Sequence, residues 1–184
     1  FNYYDLPYNW YFGKQDLKIG EKLYKLTNSI IIPLYYKEEM YGFYSRNIYN
    51  KEFFTYNPEQ NIGYKIWNWF NIDKTKEVLI TEGIFDALSI NNENRIACMS
   101  AKIPQERLNE LKKPIFVLDN DRTGILNSIE YAKKGYPVYI QPSQYIEKDM
   151  NELKINNPEL DIYNLIKNNL YTGISAEVRL KAKL

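Results

Sequence analysis

Val78-Leu79-Ile80-Thr81-Glu82-Gly83-Ile84-Phe85-Asp86 and Ile115-Phe116-Val117-Leu118-Asp119-Asn120-Asp121 decide how this chain folds. Each is a short apolar run that ends on carboxylates. A third run, Val138-Tyr139-Ile140, is followed a few residues on by Lys148-Asp149-Met150-Asn151. Runs of this length and β-branched content read as buried parallel strands, whose ends line one edge of a sheet. Open α/β folds place their ligands at that edge. The acids collected there make it a candidate metal site.

Working outward, the segments between these runs read as helices: Phe85 to Ile90, Pro104 to Leu111 with proline in the first turn, Thr123 to Lys134 closed by Gly135, and Pro158 to Asn169 with Asn157 as cap. Strands alternating with helices predict βαβ units in a mainly parallel sheet. Ahead of them, Ser29 to about Tyr56 alternates β-rich runs with turns, Lys37-Glu38-Glu39 among them, and predicts a small antiparallel sheet. Asn57 to Asn61 reads as a loop, and Tyr64 to Phe70 as either helix or strand. The boundary between the two lobes is expected near residues 71 to 77. In the tail, Val178, Leu180, Ala182 and Leu184 alternate with basic residues, the period of a one-sided strand. A solvated edge strand is the plainer reading and a nucleic-acid arm the sharper one.

The 184 residues, 45% hydrophobic, suffice for one sizeable core with a smaller lobe. Net charge is +1, so no global field argues for nucleic acid, and any such binding rests on a local arrangement. One cysteine, Cys98, and no histidine exclude structural zinc, thiol–histidine nucleophiles and serine–histidine triads. Carboxylates, hydroxyls and lysines remain for chemistry. Without a long apolar run or a basic-then-apolar leader, the expectation is an intracellular protein with no membrane span. The chain opens in mid-pattern at Phe1, as a fragment would. Its 18 tyrosines are explained by AT-rich coding, and Trp67 and Trp69 by core or interlobe packing in preference to base stacking.

Converging carboxylates repel one another unless a cation neutralises them, and an oxygen-only donor set selects a hard ion, Mg²⁺ or Mn²⁺. Such an ion completes its shell with water and substrate phosphates, so phosphoryl chemistry is its natural use. Gly83 and Gly124 sit where tight strand-to-helix turns and close backbone approach to a phosphate need them.

Glu82-Gly83-Ile84-Phe85-Asp86-Ala87-Leu88, Asp119-Asn120-Asp121-Arg122-Thr123-Gly124 and Lys148-Asp149-Met150-Asn151-Glu152, in that order, resemble the three signatures of the Toprim domain, in the version found in DnaG-type primases and phage primase-helicases. Ile30-Ile31-Ile32-Pro33-Leu34 with Tyr41-Gly42-Phe43-Tyr44-Ser45-Arg46 is similar to the small lobe that precedes it in the primase RNA polymerase core. Phe53 to Glu59 resembles that lobe's next segment, with its asparagine one position off. The resemblance implies a small α+β lobe over residues 1–75, a Toprim domain over 76–172 and a basic tail over 173–184.

It further implies template-directed synthesis of RNA primers on single-stranded DNA from ribonucleoside triphosphates, in the cytoplasm of a bacterial or phage-infected cell. A replicative helicase, separate or fused, is the implied partner. Glu82 would be the metal ligand or proton-transfer group, Asp119 and Asp121 the metal-binding pair, and Asp149 the ligand near a second ion. Asp86, Gly83 and Gly124 would support the site. Asn151 stands where bacterial primases often have a further aspartate, and Arg122 where the family has a small or acidic residue. Arg46 and Lys51 would face nucleic acid or the incoming triphosphate, and Lys148 its phosphates. The family's separate zinc-binding module has no cysteine set here, which implies weak activity for the chain alone. Two other functions suit the same acids: a Toprim nuclease or topoisomerase-type strand cutter, and a noncatalytic module binding single-stranded DNA or a helicase.

Overall fold

The computed structural model describes residues 10–50, 52–57, 66–99 and 102–184. The chain divides into two compact units, Phe1–Lys65 and Ile66–Leu184. The division falls at Ile66 and not between residues 71 and 77, because Ile66 and Trp69 are buried in the second unit's core and Trp67 pairs its backbone with Ala97. The segment left open between helix and strand is thus a bridge followed by turns over its described residues.

In the first unit, β1 (Tyr11–Gly13), β4 (Ser29–Tyr36), β5 (Glu39–Asn47) and β6 (Phe53–Tyr56) form an antiparallel sheet in the order β1-β4-β5-β6. A separate hairpin pairs β2 (Leu17–Ile19) with β3 (Lys22–Tyr24). Lys37 and Glu38 join β4 to β5 with φ of 47° and 71°. Two consecutive positive φ values give a turn whose twist matches that of the flanking strands. One face of the sheet carries Phe43, Phe54 and Tyr56, packed with Tyr24 and Leu26. Arg46 lies opposite Ile30 and Phe53, on the other face.

In the second unit, β7 (Glu77–Thr81), β8 (Arg95–Ala97), β9 (Lys113–Phe116), β10 (Val138–Tyr139) and β11 (Leu170–Tyr171) form a sheet ordered β11-β10-β9-β7-β8. All pairings are parallel except that of β11, which runs antiparallel to β10. The helices are α1 (Ile84–Ser89), α2 (Gln105–Glu110), α3 (Arg122–Lys133), α4 (Met150–Asn156), α5 (Ile162–Lys167) and α6 (Gly173–Lys181). Both faces of the sheet are covered. Val78, Ile80, Phe116 and Val138 share a core with Ile125 and Ile129 of α3 and Leu180 of α6, while Leu79, Ile115 and Tyr139 pack with Leu153 of α4 and Ile162 and Ile166 of α5. Two-sided burial explains why the strands read as unbroken apolar runs.

Two expectations about the C-terminal third need correction. The tail is α6, not a strand: Ala176 and Leu180, four residues apart, are buried against α3, and that contact overrides the local alternation. The segment from Pro158 to Asn169 holds a shorter helix, α5, capped by the Asp161 side chain, and Asn157 instead ends α4. Among the described residues, no helix is long and apolar enough to cross a membrane.

The strand order sets where a ligand sits. From β7 the chain moves to β8 on one side, and from β9 to β10 on the other, so the connections diverge between β7 and β9. That divergence opens a crevice at the carboxyl ends of these two strands. Glu82 directly follows β7, and Asp119 comes three residues after the end of β9.

Candidate metal centre

Glu82 leaves β7 with its backbone pinned, since its carbonyl accepts from the amide of Met99, a residue held at φ 49°. Its Oε1 accepts a hydrogen bond from the Asp119 amide at 3.3 Å, which ties the end of β7 to the end of β9. Asp121 caps α3, with Oδ1 accepting from Gly124 N at 2.9 Å. Asp149 caps α4 in the same way, its Oδ1 accepting from Glu152 N at 2.8 Å, while Glu152 reaches back to the Lys148 amide at 2.8 Å. These caps satisfy helix-terminal amides and fix where the remaining carboxylate oxygens stand.

Lys148 joins the loops. Its Nζ lies 3.3 Å from Asp121 Oδ2 and 3.6 Å from Asp119 Oδ2. Asp86, buried on α1, accepts from the Asn151 amide at 3.2 Å and so connects the first signature to the third. Glu82, Asp86, Asp119, Asp121, Lys148, Asp149 and the Asn151 backbone are therefore brought to one crevice. Gly83 and Gly124 are part of its walls. A Cβ on Gly83 would lie 2.6 Å from Asp86 Oδ2, and one on Gly124 only 2.1 Å from the Asp119 carbonyl oxygen. Arg46 belongs to the first unit, and Lys51 lies outside the described residues.

Burial and mutual repulsion govern the charges. Burial, then the charges of Glu82 and Asp149, push the Asp119 carboxyl from its ordinary 3.8 up to about 7. Burial foremost, then Asp149 and Asp119, raises Asp86. Glu82 is also raised, chiefly by burial. Asp121 moves the other way, held down first by the Gly124 amide and then opposed to its own burial by Lys148. Lys148 is raised by its bond to Asp121. Cys98 is pushed up to about 12 by burial and stays a thiol, which leaves oxygen as the only donor type for an ion.

A donor set of carboxylates, three of them held back from ionising by burial and by their neighbours, is of the chemical kind that takes a hard divalent cation. Among the described residues, no three acidic or thiol groups already stand in a metal-holding arrangement. An ion that takes one or two carboxylates and draws its other ligands from water and phosphate, as Mg²⁺ does, needs no such preformed cluster.

The raised carboxylates make a sign-definite prediction. Asp119 keeps its proton in the fold up to about pH 7, whereas the unfolded chain releases it near 3.8. Between those values the native state binds more protons, so stability falls as pH rises, by on the order of 4 kcal/mol for this group. The lowered, exposed carboxylates act mainly below about pH 5, at and beyond the lower edge of the window. Melting curves in a chelator are expected to drop between pH 5 and 8, and Mg²⁺ to restore them most at pH 8. A flat profile would contradict the crowding described above.

Sequence reasoning missed how Asn120, Gln141 and Lys183 take part. The Asn120 amide donates to Lys148 O at 2.6 Å, and its side-chain oxygen accepts from Lys183 Nζ at 3.1 Å. Asn120 was visible between two aspartates. Lys183 was hidden by the strand reading of the tail, although Ala176, Leu180 and Lys183 follow helical spacing.

No family model matches the sequence, and no curated protein matches it. Among solved structures, the chain is similar to the zinc-binding and RNA polymerase domains of the Aquifex aeolicus primase, with TM-score 0.58 and 19% identity, over 86% of this chain and 45% of that one. It is also similar to a primase domain in the complex of bacteriophage T7 lagging-strand DNA polymerase with two primase domains bound to an RNA/DNA hybrid and dTTP, with TM-score 0.58 and 16% identity, over 84% of this chain and 82% of that one. The primase fragment of the T7 primase-helicase protein matches with TM-score 0.55 and 16% identity, over 82% of this chain and 66% of that one. The chain spans less than half of the Aquifex protein's solved length. These likenesses establish a primase-like fold.

Proposed function

We propose that this chain is the Toprim-type catalytic core of a primase, joining ribonucleotides into short RNA on a single-stranded DNA template with Mg²⁺ or Mn²⁺. The observation that carries this reading is the convergence of Glu82, Asp119, Asp121 and Asp149, from three separate segments, on the crevice where the connections of a primase-like sheet diverge. Asp119 and Asp121 would hold the ion, with Glu82 beside them and Asp149 near a second. Bound there, a divalent cation supplies positive charge and Lewis acidity to a triphosphate.

The remaining work belongs to the chain's own groups. Lys148, free to turn from Asp119 and Asp121 once their charge is otherwise met, presents its ammonium to the β- and γ-phosphates. Glu82 Oε1 is committed to the Asp119 amide, so Oε2 is the oxygen to receive the proton of the attacking 3′-hydroxyl. Its raised affinity for protons suits that role. In the first unit, Arg46 and Lys51 are proposed to contact template or triphosphate. A helicase, fused or separate, would deliver the single strand.

The test is to incubate the purified chain with circular single-stranded DNA, labelled ribonucleoside triphosphates and Mg²⁺ or Mn²⁺, and to resolve the products by length. Short labelled oligoribonucleotides that vanish with chelator are expected. Nicked DNA without RNA would mean a strand cutter. DNA binding indifferent to divalent ions, with no product, would mean a binding module.

A further inference from the structure

Just past the end of α6, the side chain of Lys183 reaches the acidic loops. Lys183 Nζ donates to Asn120 Oδ1 at 3.1 Å and to Gln141 O at 2.7 Å. The circuit closes on the other side, where Gln141 Nε2 donates to Glu147 O at 2.8 Å and Asn120 Nδ2 donates to the same oxygen at 3.4 Å. Asn120 is the residue between Asp119 and Asp121, and Glu147 is two residues ahead of Asp149. A single ammonium therefore spans the loop after β9 and the loop before α4.

We infer that Lys183 is a positioning residue that sets the separation between the Asp119-Asn120-Asp121 loop and the Lys148-Asp149 loop, and through it the fit of the site for its ion. This inference rests on the proposed reading of those acids as one centre. Ala176 and Leu180 already bury α6 in the core, so docking of the helix does not itself call for a lysine at position 183. The amine is half-buried, and burial lowers its hold on the proton, so it is kept at this depth by the two oxygens it serves. Removing it would leave Asn120 Oδ1 and Gln141 O without that donor.

The experiment is amide hydrogen exchange, read by peptide mass spectrometry on the full chain without added metal, for Lys183→Met, Lys183→Arg and Asn120→Ala. Methionine retains the aliphatic stem and deletes the charge. Exchange about tenfold faster is expected in peptides covering 118–122 and 146–150, with β7 and α1 unchanged. Asn120→Ala, which leaves α6 untouched, is expected to loosen 146–150 in the same way, and Lys183→Arg to restore protection. Mn²⁺ affinity, followed by electron paramagnetic resonance, should weaken about tenfold in Lys183→Met. Unchanged exchange, a uniform rise across 66–184, or failure of arginine to restore protection would each overturn the inference. A wild-type chain that binds no Mn²⁺ would sink the proposed function instead, while the exchange pattern still decides the role of Lys183.

Discussion

Asp119→Asn is expected to abolish divalent-ion binding and to cut ribonucleotide incorporation by roughly a thousandfold, about 4 kcal/mol of transition-state stabilisation, while making the metal-free protein harder to unfold at pH 8. The two effects have one cause. Asp119 is crowded by its neighbours' charge, its pKa pushed up to about 7 by burial, Glu82 and Asp149. An amide of the same shape removes that repulsion and with it the reason to bind a cation. A rise in melting temperature of about 5 °C or more at pH 8, with little change at pH 5, is the stability signature. Calorimetric titration with Mn²⁺ and the primer assay supply the other half. Loss of activity together with lost stability at pH 8 would mean that the carboxylate is structural, and retained activity would remove it from the centre.

Gly124→Ala is expected to be nearly as damaging, through geometry and not charge. The added methyl group would lie 2.1 Å from the Asp119 carbonyl oxygen and within 3 Å of that residue's backbone carbon and nitrogen, none of which can swing aside as a side chain would. Either the first turn of α3 or the end of β9 must move, at a cost of about 1–3 kcal/mol. A shift on the order of 1 Å in Asp119 is enough for about a hundredfold loss of incorporation. Gly135→Ala is the comparison. At φ +87° it is strained in the backbone but meets nothing within 4 Å, so it should lower the melting temperature and leave incorporation unchanged. Equal activity in both variants would show that the close approach at Gly124 does not set the position of Asp119.

The placement of Glu82, Asp119 and Asp121 was legible because they follow short, unbroken apolar runs, and runs such as Val78 to Thr81 and Ile115 to Leu118 have few alternatives to a buried strand. The caps could also be read locally: an aspartate three residues ahead of Gly124 or Glu152 is a short-range device. What escaped depends on partners far along the chain. Arg95-Ile96-Ala97 is too short to show a period and becomes a strand by pairing with β7. The tail satisfies a two-residue period and a helical one about equally over so few positions, and α3 decides between them by burying Ala176 and Leu180. Lys183 inherits that ambiguity. Its role follows from a contact with Asn120 sixty-three residues away, which no local pattern encodes.

On the proposed function, carboxylates from three segments jointly hold a divalent ion that handles nucleotide phosphates. Crystals grown with a ribonucleoside triphosphate and soaked in Mn²⁺, measured at the manganese absorption edge, test it most directly. The account predicts an anomalous peak within about 2.3 Å of carboxylate oxygens of Asp119 or Asp121 and of a triphosphate oxygen, with the Lys148 ammonium turned toward the phosphates. A nucleotide bound elsewhere, or manganese at sites remote from these acids with Lys148 still spanning Asp119 and Asp121, would contradict it.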